Sequence, residues 1–223
     1  MAVPAVFKDI LSERFSDPTS ITSLKMALSE TWPCYHTAMD GFFEDDFIER
    51  LIDHSGPSDD MVKLHRVMSD GLMCRWLAKI GDFKDLRHAK SSIRSALGPN
   101  PTNALGRHGI LWKRFVVVVM KSVETPVGDD DAGGLEIWKN AAETELMHRI
   151  PWKRNRAILF EIRPDLFYAF TPPTQHLDVL WEEYYSLEAP PWVGSGWWPK
   201  TLNRESIIKS MEKRHAEGRL PTR

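Results

Sequence analysis

The sequence predicts an α+β fold in which a helical N-terminal half packs with a small mixed β-sheet (strand, helix, strand, hairpin) and with C-terminal helices. Two patterns predict it. Apolar residues recur every three or four positions through residues 3–97, as they do in amphipathic helices. Residues 115–120 read Phe-Val-Val-Val-Val-Met, and consecutive valines favour a pleated strand over a helix. Because this run is apolar on both faces, we expect a central strand that is covered on both sides.

Helices account for the N-terminal half. The strongest begins at Ser58, whose side chain can cap a helix, and Asp59 and Asp60 follow in the first turn, where carboxylates are favourable. Gly81 is its expected end. Shorter helices are expected at about 7–15, 20–28, 42–51 and 83–97. The apolar stripe of the strongest helix consists of Met61, Leu64, Met68, Leu72, Trp76, Leu77 and Ile80.

A break in the pattern separates this half from the next. Residues 98–103 read Gly-Pro-Asn-Pro-Thr-Asn, which disfavours both helix and strand. The predicted organisation is a helical region over 1–98, a linker over 99–109, and an α/β region with C-terminal helices over 110–223. One integrated domain is the alternative.

The second half begins with the valine strand, which we expect over 110–123. An amphipathic helix should follow, with Leu135, Trp138 and Leu146 on its inner side, and then a strand over 156–162 and another over 166–170. Strand, helix and strand in this order predict a right-handed crossover, which makes the first two strands parallel. Two further helices are expected, at about 172–184 and 203–217.

The composition restricts the classes of function. With 223 residues and a formal charge of −2, the chain can bury a core and does not coat nucleic acid by bulk charge. Its two cysteines, Cys34 and Cys74, are too few for a disulfide scaffold and fit a reducing compartment. No stretch approaches the roughly 18 apolar residues of a membrane span. We therefore expect a soluble, intracellular protein, and its nine tryptophans are its unusual feature.

Two identical triplets suggest a site for an anion. Trp-Lys-Arg occurs at 112–114, before the valine strand, and again at 152–154, before the next strand. If these strands are parallel, both triplets lie at one edge of the sheet. Aromatic faces and guanidinium groups bind single-stranded nucleic acid or phosphorylated ligands, although long basic side chains beside a buried strand also simply reach water. The predicted anion-binding residues are Trp112, Lys113, Arg114, Trp152, Lys153, Arg154 and Arg156.

No motif identifies a catalytic residue or a cofactor. The sequence lacks a nucleophile elbow, a phosphate-binding loop and a dinucleotide fingerprint. Asp129, Asp130 and Asp131 are weak candidates for a divalent cation, since they lack the regular spacing of a calcium loop. We therefore predict no metal and no cofactor, and the catalytic residues, if there are any, are unknown.

The favoured function is that of a non-enzymatic protein that binds an anionic partner, above all nucleic acid, through the basic aromatic patch. The alternatives are an enzyme and a structural subunit of a larger assembly. The enzyme would use a pocket between the helices and the sheet, for acid/base or metal-assisted phosphodiester chemistry. Its acids would be Asp40, Glu44, Asp45 and Asp46, near Tyr35 and His36. A protein partner or a second copy of the chain would contact Trp192, Trp197 and Trp198.

Overall fold

The computed structural model describes residues 7, 9–31, 36–53, 58–81, 83, 86–95, 113–122, 133–139, 145–162, 166–171 and 178–185. Within these residues the chain forms five helices and eight strands, so the predicted α+β class is confirmed. The predicted mixed sheet is wrong, because every strand pairing in the described part of the chain is antiparallel.

The five helices of the described residues all lie in the N-terminal half. They are α1 (Glu13–Ser16), α2 (Pro18–Ser29), α3 (Asp45–Asp53), α4 (Asp59–Ser69) and α5 (Gly71–Gly81). Ser58 caps α4 as predicted, because its hydroxyl accepts a hydrogen bond from the Met61 backbone N–H at 3.2 Å. The single helix predicted from Ser58 to Gly81 is two helices. The chain becomes extended at Asp70, whose carboxylate accepts a hydrogen bond from the Leu72 backbone N–H at 2.6 Å.

The strands form two sheets. They are β1 (His36–Asp40), β2 (Arg87–Ser95), β3 (Lys113–Ser122), β4 (Gly134–Trp138), β5 (Leu146–Pro151), β6 (Arg156–Glu161), β7 (Phe167–Thr171) and β8 (Asp178–Tyr185). The large sheet has the order β1-β6-β3-β8-β2, and the small sheet has the order β5-β4-β7. The valine run therefore lies in the middle strand of the large sheet, which confirms the predicted central strand. The predicted parallel crossover is wrong, since Phe115 of β3 lies opposite Glu161 of β6 and Val119 opposite Ala157.

The helix predicted to begin at Leu135 is strand β4. Leu135 and Ile137 are both fully buried in the core between the sheets, and Glu136 pairs with Arg149 of β5 at 2.6 Å. Successive side chains of a strand point to opposite faces, so Leu135 and Ile137 share one face and Glu136 lies on the other. The helix was predicted because Leu135 and Trp138 are three residues apart, which is also a helical spacing.

The helix predicted over 172–184 is wrong in the part that the structure describes, which is β8. Val179 and Trp181 are buried in the core between the sheets, whereas Leu180 and Tyr184 are buried in the core beneath the helices. A strand covered on both faces carries apolar residues at every spacing, including the spacings of a helix. Most of the helix predicted over 83–97 is likewise strand β2.

Three layers result, with two cores between them. The helices cover one face of the large sheet, and the small sheet covers its other face. The core between the sheets consists of Leu135, Ile137, Ile150, Trp152, Ile158, Phe160, Ile162, Leu166, Tyr168, Val179 and Trp181.

The division into regions 1–98 and 110–223 stays a prediction, although β1 and β2 share a sheet with β3, β6 and β8. The predicted linker over 99–109 and the helix over 203–217 lie outside the described residues. None of the described helices combines the length and apolarity that a membrane span requires.

Candidate functional site

Apolar and aromatic side chains fill the space between the two sheets. Phe160 packs against Tyr168 and Trp181, with ring centroids 5.3 and 6.1 Å apart. The polar atoms of these rings have partners within the chain, because the Tyr168 hydroxyl donates to the Glu161 backbone carbonyl and the Trp181 indole N–H donates to the Glu183 carboxylate, each at 2.8 Å. This part of the molecule is a packed core.

Two histidine rings meet across the sheets. His36 of β1 and His148 of β5 have ring centroids 4.4 Å apart, and His36 is buried. Partial burial lowers the pKa of His148, which favours the neutral form of this ring. Among the described residues, no third His, Cys, Asp or Glu joins them to form a metal-binding group.

A polar network crosses the interface between the helices and the other face of the large sheet. The Glu182 side chain of β8 is fully buried, and its Oε2 atom lies 2.6 Å from both His88 Nε2 and Ser91 Oγ of β2. Ser91 Oγ also lies 2.9 Å from Nδ1 of His65, an exposed residue of α4. The network therefore leads from a buried carboxylate to the protein surface.

Tyr184 extends this network into the helical layer. Its hydroxyl donates to the Met68 backbone carbonyl at 2.7 Å, and its ring packs edge-on to His88 with centroids 5.3 Å apart. Burial, and then the charges of Glu182 and the Cys74 thiol, raise the pKa of Tyr184 well above its ordinary value. Tyr184 is therefore a neutral hydrogen-bond donor over the physiological pH range.

The basic residues of the second triplet already have acidic partners. Lys153 Nζ lies 2.9 Å from Asp40 Oδ2, and Arg156 binds both oxygens of the same carboxylate. Arg154 pairs with Glu49. Whether these residues also bind an external anion stays a prediction, but in this structure they connect β6 to the N-terminal half.

The two triplets do not converge as the sequence had suggested. Lys113 and Arg114 begin β3, and since β3 and β6 are antiparallel, they lie at the opposite edge of the sheet from residues 153–156. Trp152 is only 2% exposed and belongs to the core between the sheets, whereas Trp112 lies outside the described residues.

The remaining predicted site residues are dispersed or not described. Asp40 accepts hydrogen bonds from Lys153 and Arg156, and Glu44 accepts one from the Glu13 backbone N–H at 2.9 Å. Asp45 and Asp46 are exposed in the first turn of α3. The candidates outside the described residues are Asp129, Asp130, Asp131, Trp192, Trp197 and Trp198.

Solved structures show what fold this is. A prolyl 4-hydroxylase from Phytophthora capsici matches with a TM-score of 0.54 and 13% identity, over 98% of this chain and 80% of that one. The alpha-ketoglutarate-dependent epimerase SnoN from nogalamycin biosynthesis matches with a TM-score of 0.52 and 11% identity, over 84% of this chain and 92% of that one. A 2OG-Fe(II) oxygenase family oxidoreductase from Burkholderia pseudomallei matches with a TM-score of 0.52 and 9% identity, over 76% of this chain and 92% of that one. No protein-family model and no curated protein matches the sequence.

At these identities the likeness shows the fold alone, which is that of the 2OG-Fe(II) oxygenases. It corrects the functional prediction. A non-enzymatic nucleic-acid-binding protein and an assembly subunit are both wrong expectations, because the matched structures are oxygenases, a hydroxylase and an epimerase. Phosphodiester chemistry has no counterpart among them. The pairing of the triplet's cations with Asp40 and Glu49 gives a physical reason for the basic residues that needs no nucleic acid.

The described residues alone do not supply a complete set of ligands for an iron ion. A non-haem Fe(II) centre of this type uses two histidines and one carboxylate with open positions. No group of three His, Cys, Asp or Glu in the described part of the chain could hold a metal, and the space between the sheets is lined by the apolar core. This test covers four of the eight histidines, since those at positions 54, 108, 176 and 215 lie outside the described residues.

Sequence reasoning missed the network around Glu182. Its one visible signal was the pair Glu182-Glu183 inside the apolar run from Val179 to Tyr185. Two consecutive acids in such a run are unusual for a strand buried on both faces, and their burial requires partners. His65, His88 and Ser91 carried no signal of their own, because their spacing in sequence matches no motif.

Proposed function

We propose that this chain is an enzyme of the oxygenase type. The observation that supports the proposal is the match of its helical layer and two sheets to oxygenase structures over as much as 98% of the chain. The apolar core between the sheets is a dry, rigid support on which a reactive site can be built. No step through iron follows from the described residues, so the proposal concerns the class of reaction and leaves the substrate open.

The test uses the full chain, purified in chelator and then supplied with Fe(II) and 2-oxoglutarate in air. We expect binding of 2-oxoglutarate that depends on the metal, and consumption of 2-oxoglutarate that depends on both the metal and oxygen. The controls omit the metal, omit oxygen, or replace Fe(II) with Zn(II). A chain that binds neither Fe(II) nor 2-oxoglutarate would overturn the proposal.

Single histidine variants connect this assay to the structure. Since no three described residues form a metal-binding group, at least one metal ligand should lie among the other residues of the chain, which include the histidines at positions 54, 108, 176 and 215. The site type uses two histidines, so two of the eight single replacements of histidine by alanine should abolish metal-dependent binding of 2-oxoglutarate. Binding that survives every one of the eight replacements would contradict a site of this type.

A further inference from the structure

Glu182 combines complete burial with an incomplete set of hydrogen bonds. Its side chain is 0% exposed, and two polar side chains meet its Oε2 atom. Its Oε1 atom is also buried, and no described residue donates a hydrogen bond to it. A buried oxygen without a donor costs free energy, so such an atom in a well-packed sheet needs an explanation.

The numbers of donors and acceptors in the network determine the direction of each hydrogen bond. The Ser91 hydroxyl has one proton, and its oxygen lies 2.6 Å from Glu182 Oε2 and 2.9 Å from His65 Nδ1. An ionised carboxylate only accepts, so Ser91 donates to Glu182 and must accept from His65. His88 Nε2, 2.6 Å from the same oxygen, is the second donor. This arrangement assigns the proton of neutral His65 to Nδ1 and that of neutral His88 to Nε2.

We propose that Glu182 is a buried proton-binding site and that Ser91 and His65 form the path by which protons reach it from solvent. His65 is exposed on α4, whereas Glu182 lies within β8, so the three side chains bridge surface and sheet in two hydrogen bonds. The Oε1 atom is where a proton can be held without displacing the hydrogen bond from His88.

The transfer balances without an external reactant. It begins with His65 as an imidazolium and Glu182 as a carboxylate. The Nδ1–H bond of His65 breaks as an O–H bond forms on Ser91, and the original Ser91 proton passes to Glu182 Oε2. Half a turn of the carboxyl group then places this proton in the position of Oε1, and the other oxygen accepts from His88. His65 ends neutral with its remaining proton on Nε2, Ser91 donates to His65 Nδ1, Glu182 ends protonated, and nothing is oxidised or reduced.

Other titratable groups surround this site and have to be separated from it. In the described part of the chain they are His88 from β2, His65 from α4, Tyr184 from β8 and Cys74 from α5. The raised pKa of Tyr184 removes that hydroxyl from titration at physiological pH. The proposal does not depend on an oxygenase activity, and its test therefore uses none.

The experiment follows the carboxylic-acid C=O band of the full chain by infrared spectroscopy during a pH titration and after a rapid pH drop. We expect one buried acid band that appears as the pH falls and is absent from Glu182→Gln, which preserves the shape of the side chain. In Ser91→Ala the band should still appear, but at least about tenfold more slowly, a threshold set below the ~100-fold that a positioned proton-transfer group typically contributes at the least. Ser69→Ala is the matched control, because Ser69 donates to the His65 backbone carbonyl and lies off the path.

A band that persists in Glu182→Gln, or no such band at any pH at which the chain is folded, would overturn the proton-binding site. An unchanged rate in Ser91→Ala would overturn the path. If Ser91→Ala does not fold, His65→Ala replaces an exposed side chain and should slow the same step. Nitrogen NMR gives an independent check above the pH at which the acid band appears. Neutral His65 should there have its proton on Nδ1, and a proton on Nε2 would overturn the assigned direction of the hydrogen bond to Ser91.

Discussion

Replacement of Asp40 by asparagine tests the connection between β6 and the N-terminal half. Hydrogen bonds from Arg156, helped by Lys153 and opposed by partial burial, lower the pKa of Asp40 from 3.8 to about 2. At about 1.4 kcal/mol per pKa unit, this shift corresponds to at most ~2.5 kcal/mol of stability. The Asp40 side chain is 39% exposed, so solvent screens the interaction and we expect about 1 kcal/mol.

The sign of the pH dependence follows from the lowered pKa. A carboxylate with a depressed pKa stabilises the folded state above its unfolded pKa, and this contribution disappears as the pH falls through its folded pKa. The wild-type chain should therefore exceed Asp40→Asn in free energy of unfolding by about 1 kcal/mol at pH 7. The difference should persist to about pH 5 and shrink between pH 4 and pH 2, as the carboxylate takes up a proton.

Urea denaturation across this pH range measures the difference. Glu49→Gln is the matched control, because it removes a carboxylate that pairs with neighbouring Arg154, and both of these side chains are largely exposed. We expect it to change stability by no more than a few tenths of a kcal/mol. The reasoning fails if Asp40→Asn is no more destabilising than Glu49→Gln, or if its effect is the same at pH 7 and at low pH.

Two further variants test positions where the backbone demands a particular residue. Asn155 has a φ of 55°, and its buried side chain forms hydrogen bonds with both the backbone N–H and the carbonyl of Phe43. Asn155→Ala should therefore lower the free energy of unfolding by about 2–4 kcal/mol, and Asn155→Gly, which tolerates this φ, should lower it by about 1 kcal/mol less than Asn155→Ala does. Equal losses of the two variants in urea denaturation would contradict the argument. Gly134→Ala should lower the free energy of unfolding by about 1–3 kcal/mol and speed hydrogen exchange in β5, because a Cβ would lie 2.6 Å from the Ile150 carbonyl oxygen. In the control Gly71→Ala, the nearest atom to the new Cβ is 3.6 Å away, and the free energy of unfolding should not fall.

The sequence predicted those elements whose pattern has one interpretation. The cap at Ser58 and the valine strand were both found, because a capping side chain and four successive β-branched residues each fit one kind of local structure. The break at Asp70 was missed because the apolar stripe continues through it. Its cause is a local hydrogen bond from the Leu72 N–H to the Asp70 carboxylate, which apolar periodicity does not reveal.

The error at 178–185 follows from the way the large sheet is covered. In this fold the large sheet is covered on one face by helices and on the other by the small sheet, so its strands show little polar alternation. An apolar strand without alternation is difficult to distinguish from a buried helix by periodicity. The parallel crossover rested on a different error, the helix expected between the valine strand and the strand over 156–162, where the structure has β4 and β5. That crossover alone brought the two Trp-Lys-Arg triplets together. The predicted anion site therefore depended on the misassigned elements.

The misassignment of 178–185 concealed the network around Glu182. In a helix, Glu182 and Glu183 would be neighbours on a polar surface, and acids there need no partner. In strand β8 they point to opposite faces, and both faces are buried. Glu183 consequently meets the indole N–H of Trp181 between the sheets, and Glu182 meets His88 and Ser91 beneath the helices. Each acid is explained by a partner that only the strand geometry supplies, and the single atom left without one, Glu182 Oε1, is the reason to look for a proton there.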